Sequence, residues 1–322
     1  MKKAGASLNF LLPENCYICG NKIKIIKEMD KYREVLAESK VVTDDAAVQA
    51  EVQRILDKHL EENRRPEVMK TLFNCIDLTT LRTTDSEKSV ADFVSRVNAF
   101  EEEYPDLPNV AAICVYPNFV PVVRTTLDVS SVDVASVAGC FPTAQSFIEV
   151  KVAEVGLAVE AGADEIDVVF GVGDYLDGDY ETVCDDLQEM KHSCRESIMK
   201  VILETGALKS AKAIRDAAVL SLYSGADFLK TSTGKEYPGA SLEACYVMCQ
   251  AAKEYYEKCG RMVGIKVSGG VSTSDDALKY YTIVKEVLGE KWVADNEYFR
   301  IGASRLANNL LSDILGKEVK FF

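Results

Sequence analysis

Histidine is nearly absent from this chain: there are two in 322 residues, His59 and His192. A catalytic zinc or a related divalent ion usually takes several imidazole ligands. Two isolated histidines in charged surroundings do not supply them, so no metal and no other cofactor is expected, and a histidine general base is disfavoured. Cysteine is plentiful at ten residues but lacks pairing motifs. Cys16 and Cys19 form the only CxxC, half of a zinc site at most. Cys75, Cys114, Cys184, Cys245 and Cys249 lie in apolar runs, as buried free thiols do in a reduced compartment such as the cytoplasm. No run of about 18 apolar residues occurs, so no spanning helix is expected. The apolar stretch Leu8 to Leu12 after Met1-Lys2-Lys3 soon reaches Glu14, and a secretory signal is not expected. Basic charge is in deficit: 37 Lys and Arg against 51 Asp and Glu give a net charge of −14. Binders of nucleic acid or anionic membrane carry a basic face, so neither partner is expected. A small phosphorylated ligand remains compatible, because one local site can be positive on an acidic protein.

What is present suits a soluble globular chain, 48% hydrophobic and 27% charged. The length accommodates one barrel of roughly 250 residues with an extension of about 70. Residues 22–62 read as helix. Ile23, Ile25, Ile26, Met29 and Tyr32 form one periodic run, and Val48, Val52, Ile55, Leu56 and Leu60 form a second, with Asp44 as its cap. Arg64-Arg65-Pro66 breaks that pattern, which divides the chain into an N-terminal helical extension, 1–66, and an alternating region, 67–322. Strands are predicted at Thr71–Leu78, Val110–Tyr116, Val132–Ala138, Asp164–Phe170, Ile198–Glu204, Ala226–Lys230, Met262–Val267 and Tyr298–Ile301. Amphipathic stretches separate them, with the link Asn118–Leu127 the least regular. Near-continuous apolar runs such as Val201-Ile202-Leu203 suit parallel strands buried on both faces. Eight β/α units imply right-handed crossovers and a closed (β/α)₈ TIM barrel. An open doubly wound sheet usually has a glycine-rich turn after its first strand; here that place holds Asp77-Leu78-Thr79-Thr80-Leu81.

In a barrel, chemistry sits where strands end at the C-terminal face. Four strand ends carry candidate catalytic residues: Asp77, Asp167, Lys230 and Lys266. Adjacent strands lie about 4.8 Å apart, so the two lysines are expected in one pocket. A neighbouring cation and partial desolvation both lower a lysine pKa, and the neutral amine can then form an imine with a carbonyl. Composition and spacing do not choose between the two lysines, and each could instead snorkel to the rim. Asp167 suits either a proton relay or a buried ion pair with a lysine. Glycine-bearing turns follow the last strands: Thr231-Ser232-Thr233-Gly234-Lys235, Ser268-Gly269-Gly270-Val271-Ser272 and Gly302-Ala303-Ser304. Their backbone N–H groups, helix N-termini and one cation are suited to a phosphate.

The segments Asp77-Leu78-Thr79-Thr80-Leu81, Gly162-Ala163-Asp164-Glu165-Ile166-Asp167-Val168-Val169-Phe170, Gly225-Ala226-Asp227-Phe228-Leu229-Lys230-Thr231-Ser232-Thr233-Gly234-Lys235 and Gly264-Ile265-Lys266-Val267-Ser268-Gly269-Gly270-Val271 closely resemble the deoxyribose-phosphate aldolase family. Ala112-Ile113-Cys114-Val115-Tyr116-Pro117 and Arg300-Ile301-Gly302-Ala303-Ser304 match as well, so the resemblance runs from about Thr71 to Leu315. It implies a metal-free class I aldolase that reversibly cleaves 2-deoxy-D-ribose 5-phosphate to D-glyceraldehyde 3-phosphate and acetaldehyde, in deoxyribonucleotide catabolism. It implies Lys230 as the Schiff-base nucleophile, Lys266 as the neighbour that lowers its pKa, and Asp167 as acid/base partner through a water. It places Asp77 on the relay or substrate-hydroxyl side. It implies a phosphate set of Gly234, Lys235, Gly269, Gly270, Gly302 and Ser304. Ser272 and Arg305 stand where some relatives differ, and Phe321-Phe322 stand where some relatives carry a tyrosine. The extension 1–66 lies outside the resemblance and is expected to be a packing or homo-oligomer element. Alternatives are a Schiff-base aldolase for another phosphorylated sugar, and a non-catalytic descendant, which would have lost one of the four candidate residues. Treatment with EDTA is expected to leave activity unchanged; strong inhibition reversed by zinc would point to a metal enzyme instead.

Overall fold

The computed structural model describes residues 31–322. The Cys16/Cys19 pair, the run Leu8 to Leu12 and the helical spacing of Ile23, Ile25, Ile26 and Met29 lie outside the described residues. Eight strands, β1 (Ile76–Thr79), β2 (Ala112–Val115), β3 (Asp133–Ala138), β4 (Glu165–Val169), β5 (Ile198–Ile202), β6 (Phe228–Lys230), β7 (Gly264–Ser268) and β8 (Phe299–Ala303), pair in sequence order. The β1–β8 pairing, parallel like the others, closes the barrel. The expected TIM barrel is therefore the fold.

Two-residue alternation sorts the strand side chains. Ile76, Leu78, Ile166, Val168, Val201, Leu229, Ile265, Val267 and Ile301 share one core cluster with the surrounding helices. The other parity faces the barrel axis and carries Asp77, Glu165, Asp167, Lys200, Lys230, Lys266 and Arg300, all buried. This alternation explains why the strands read as apolar runs punctuated by single charges. On the same parity, the Phe228 ring lies across β7 at Gly264, where an added Cβ would come within 2.2 Å of the ring. The Lys200 ammonium sits 5.2 Å from the centre of that ring.

The first strand departs from expectation. Residues 71–74 belong to the helix Pro66–Asn74, and the strand begins at Ile76. Pro66 stands in the first turn, where its fixed φ suits a helix and its missing N–H costs nothing. Val68, Leu72 and Phe73 then form a buried helical face. The irregular link after β2 contains a second proline-started helix, Val120–Thr126.

Of the predicted helical region, residues 31–38 and Asp45–His59 are helical, with non-helical residues between them. Asp44 caps the second helix by accepting from the Ala47 N–H at 2.8 Å. That helix buries Val48, Val52 and Ile55 and packs on the helices Leu242–Cys259 and Ser274–Leu288. Its Asp45 carboxylate also accepts from the Ala211 N–H at 2.8 Å. Among the described residues, no helix is long and apolar enough to cross a membrane.

The Phe228–Gly264 contact yields a stability prediction. Gly264→Ala should overpack the axis and destabilise the fold by about 1–3 kcal/mol. Urea unfolding should register a lower midpoint, and an unchanged midpoint would mean that the ring moves aside freely.

Candidate active site

The barrel brings all four strand-end candidates together. Lys230 and Lys266 are register partners on β6 and β7. Both donate to the same atom, Asp167 Oδ2, at 2.6 and 2.7 Å. Lys266 Nζ also lies 2.5 Å from Asp77 Oδ2. The two readings of Asp167 thus meet in one residue: it is ion-paired with both lysines, while its buried Oδ1 makes no hydrogen bond within the protein.

The lysines differ in surroundings. Lys266 is fully buried and lies between two carboxylates. Burial works against its charge, but Asp167 and Asp77 outweigh burial and raise its pKa. Lys230 contacts Asp167 alone and is 4% exposed, against 0% for Lys266. Its pKa is lowered, chiefly by burial; Asp167 opposes the shift and Lys266 adds to it. The carboxyls of Asp167 and Asp77 are held below the usual range, since the nearby cations overcome the burial that disfavours their charge. Burial pushes the Cys114 thiol up to about 11, so it is neutral at physiological pH.

Three charged residues of the interior were not singled out from the sequence: Glu165, Lys200 and Arg300. Lys200 Nζ pairs with Glu165 and lies 2.9 Å from Asp77 Oδ2. Arg300 reaches Asp77 Oδ1 at 2.8 Å and Glu165 Oε1 at 3.0 Å. Asp77 therefore sits beneath the cavity described next, fully buried, gripping Lys200, Lys266 and Arg300. A period-two scan would have found these residues, since Glu165 precedes Asp167, and Arg300 precedes Gly302, by two positions.

Above the ion network opens a cavity of about 460 Å³. Lys230 lines it, together with Gly234, Lys235, Gly269, Gly270, Gly302 and Ser304, the complete phosphate set expected from the sequence. Gly269 and Gly270 have φ of +84° and +87°, a region L side chains rarely adopt. The loop after β6 is tied to the loop after β7. Thr231 Oγ1 donates to the Ser268 carbonyl at 3.1 Å, and the Ser268 N–H donates back at 3.0 Å. Gly239 packs so closely on Gly269 that an added Cβ would lie 2.1 Å from its carbonyl oxygen. Ser272 and Arg305 also border the cavity. The tail rings of Phe321 and Phe322 instead pack on Phe100, with Phe322 also against Phe73.

One group of potential metal ligands occurs among the described residues, His59, Glu62 and Glu286. His59 Nδ1 lies 2.8 Å from Glu62 and its Nε2 lies 3.3 Å from Glu286. Both ring nitrogens thus face carboxylates, and none of the three residues lines the barrel cavity.

Comparison with known proteins follows the same residues. Positions 71–287 match the family described as DeoC/LacD family aldolase. A Caenorhabditis elegans relative is 38% identical over 271 residues, covering 82% of this chain and 88% of that one. The mouse protein named deoxyribose-phosphate aldolase is 35% identical over 291 residues, covering 86% and 89%. Among solved structures, the deoxyribose phosphate aldolase from Aeropyrum pernix, described as a unique tetrameric structure, superposes with a TM-score of 0.61 at 26% identity, covering 80% of this chain and 96% of that one.

The unequal lysine environments are testable directly. Amine-selective labelling across a pH series, read by peptide mass, should find Lys230 reactive below the ordinary lysine range. In Lys266→Met the nearby cation is gone, and Asp167 is left to Lys230 alone. The Lys230 midpoint should then rise by about one pH unit or more. A midpoint that stays in place would show that Lys266 does not set it.

Proposed function

The chain belongs to the DeoC/LacD family of aldolases, and we propose that this lyase reversibly cleaves 2-deoxy-D-ribose 5-phosphate through a Schiff base on Lys230. The single observation that carries the assignment is the asymmetry of the lysine pair. Lys266 is shut away between Asp77 and Asp167, with its charge favoured. Lys230 lines the cavity, and its charge is disfavoured. A nucleophile must be neutral and must reach substrate; the lowered pKa and the place on the cavity wall favour Lys230 over Lys266 on both counts. Interior charge supports the same choice. The four cations Lys200, Lys230, Lys266 and Arg300 face three fully buried carboxylates, Asp77, Glu165 and Asp167. With Lys230 neutral, three cations meet three anions.

In this reading the Lys230 amine attacks the C1 aldehyde, and loss of water gives the imine. The C3 hydroxyl then loses its proton as the C2–C3 bond breaks. D-Glyceraldehyde 3-phosphate leaves, and the two-carbon fragment remains as an enamine. Protonation at C2 and hydrolysis release acetaldehyde and restore the amine. Asp167 keeps Oδ2 on the lysines and has Oδ1 free to exchange protons through a water. Lys266 lowers the Lys230 pKa, and Asp77 is a positioning residue that holds Lys266. The phosphate lies among Gly234, Lys235, Gly269, Gly270, Gly302 and Ser304. We assign the reaction to deoxyribonucleotide catabolism in the cytoplasm, carried out by a homo-oligomer, with residues 1–66 as a packing or assembly element.

Borohydride reduction in the presence of 2-deoxyribose 5-phosphate should attach the fragment to the peptide bearing Lys230, and Lys230→Ala should abolish both label and turnover. Label on Lys266, or full activity without any label, would overturn the mechanism. Faster cleavage of a different phosphorylated sugar would keep the mechanism and replace the substrate.

A further inference from the structure

Beside the barrel mouth lies a second chamber of about 310 Å³. It shares Thr79, Thr80, Arg82, Ser304 and Arg305 with the main cavity. Beyond that shared rim it is walled by residues the main cavity does not use, notably Phe93, Arg96 and Phe322. Arg82, Arg96 and Arg305 are all exposed. Among the described residues, none of the three guanidinium groups is paired with a carboxylate, although the chain holds 51 acidic side chains against 37 basic ones. The chamber has one acidic residue, Asp85, whose Oδ2 is occupied by the Thr80 hydroxyl and the Arg82 N–H, both at 2.8 Å. Nearby Lys88 and Asp92 pair with each other at 2.6 Å. The Arg96 guanidinium is held over the Phe93 ring, 5.7 Å from its centre.

Three like charges around one concavity repel one another, and a bound anion relieves that repulsion. Guanidinium groups suit phosphate because their planar N–H pairs match its oxygens. The main cavity already supplies the loop-built cradle for the sugar phosphate. We propose that the side chamber is a second, separate oxyanion site that takes a phosphate monoester. Arg82, Arg96 and Arg305 are its cations, and Phe93 and Phe322 form walls for the apolar body of the ligand. The inference stands on the chamber's lining, in which Arg82 and Arg305 are shared with the main cavity and Arg96 is not, and does not require the assignment of 2-deoxyribose 5-phosphate as substrate. Because Arg82 and Arg305 border both spaces, a ligand in the chamber would weaken phosphate binding in the cradle.

The test uses the full chain and two probes, inorganic phosphate and adenosine monophosphate, followed by calorimetric titration. Wild type should bind two phosphates per chain. Lys235→Ala should lose the cradle site alone. Arg96→Ala should weaken the other site by about tenfold or more, with imine trapping on Lys230 unchanged. Tighter binding of the nucleotide, lost in Phe93→Ala, would identify the ligand as a ring-bearing ester. Equal affinity for the two probes would show that Phe93 and Phe322 hold no organic body and would overturn the phosphate monoester as the ligand. A single phosphate per wild-type chain, or two sites that both survive Arg96→Ala, would overturn the proposal.

Discussion

A carboxylate shared by two lysines governs this structure. Asp167 Oδ2 holds Lys230 and Lys266 at nearly equal distance. The symmetry is broken one layer down, where Asp77 takes hold of Lys266 only. Asp77 is held in turn by Lys200 and Arg300, and these two also grip Glu165. Removing a member unbalances a cluster of buried charges, which costs more than a surface ion pair contributes. The network therefore ties β1, β4, β5, β6, β7 and β8 to one another through side chains, in addition to the backbone ladder. Chemistry and architecture are set by the same charges.

Much of this was legible in the sequence, for identifiable reasons. A lysine ending an apolar run, such as Lys230 after Phe228-Leu229, stands out because nothing else in the run is polar. Gly234, Gly269 and Gly270 stand out because they follow strands and precede helices, whereas Gly302 lies within the end of β8. Glu165, Lys200 and Arg300 lie deeper in the barrel than the strand ends at which barrel chemistry is expected. Their partners are also remote in sequence: Arg300 and Asp77 meet only because β8 closes on β1. Closure is a global property that no local pattern encodes. The misplaced first strand has a different origin. Thr71-Leu72-Phe73-Asn74-Cys75-Ile76 is a short apolar run that fits either period, and Pro66, five residues earlier, decides in favour of helix.

The loops above the ion network show how the mouth is kept in shape. Thr231 and Ser268 exchange hydrogen bonds, and Gly239 rests on Gly269 with no space for a side chain. The glycine-lined mouth of the cavity is thus fixed to the strands that carry the two lysines. In the proposed reaction, binding energy from the phosphate end of the sugar then serves to orient its aldehyde end, since little freedom lies between the two.

The matched interior charges bear on what happens after the first covalent step. In the proposed reaction the amine, once it has given up its proton, becomes a protonated imine, and the adduct then carries the fourth cation of the interior. Three fully buried carboxylates face four cations at that stage, so the adduct holds one positive charge in excess, with Asp167 the carboxylate beside it. Hydrolysis to the free amine removes that excess, in whichever direction the supply of aldehydes dictates.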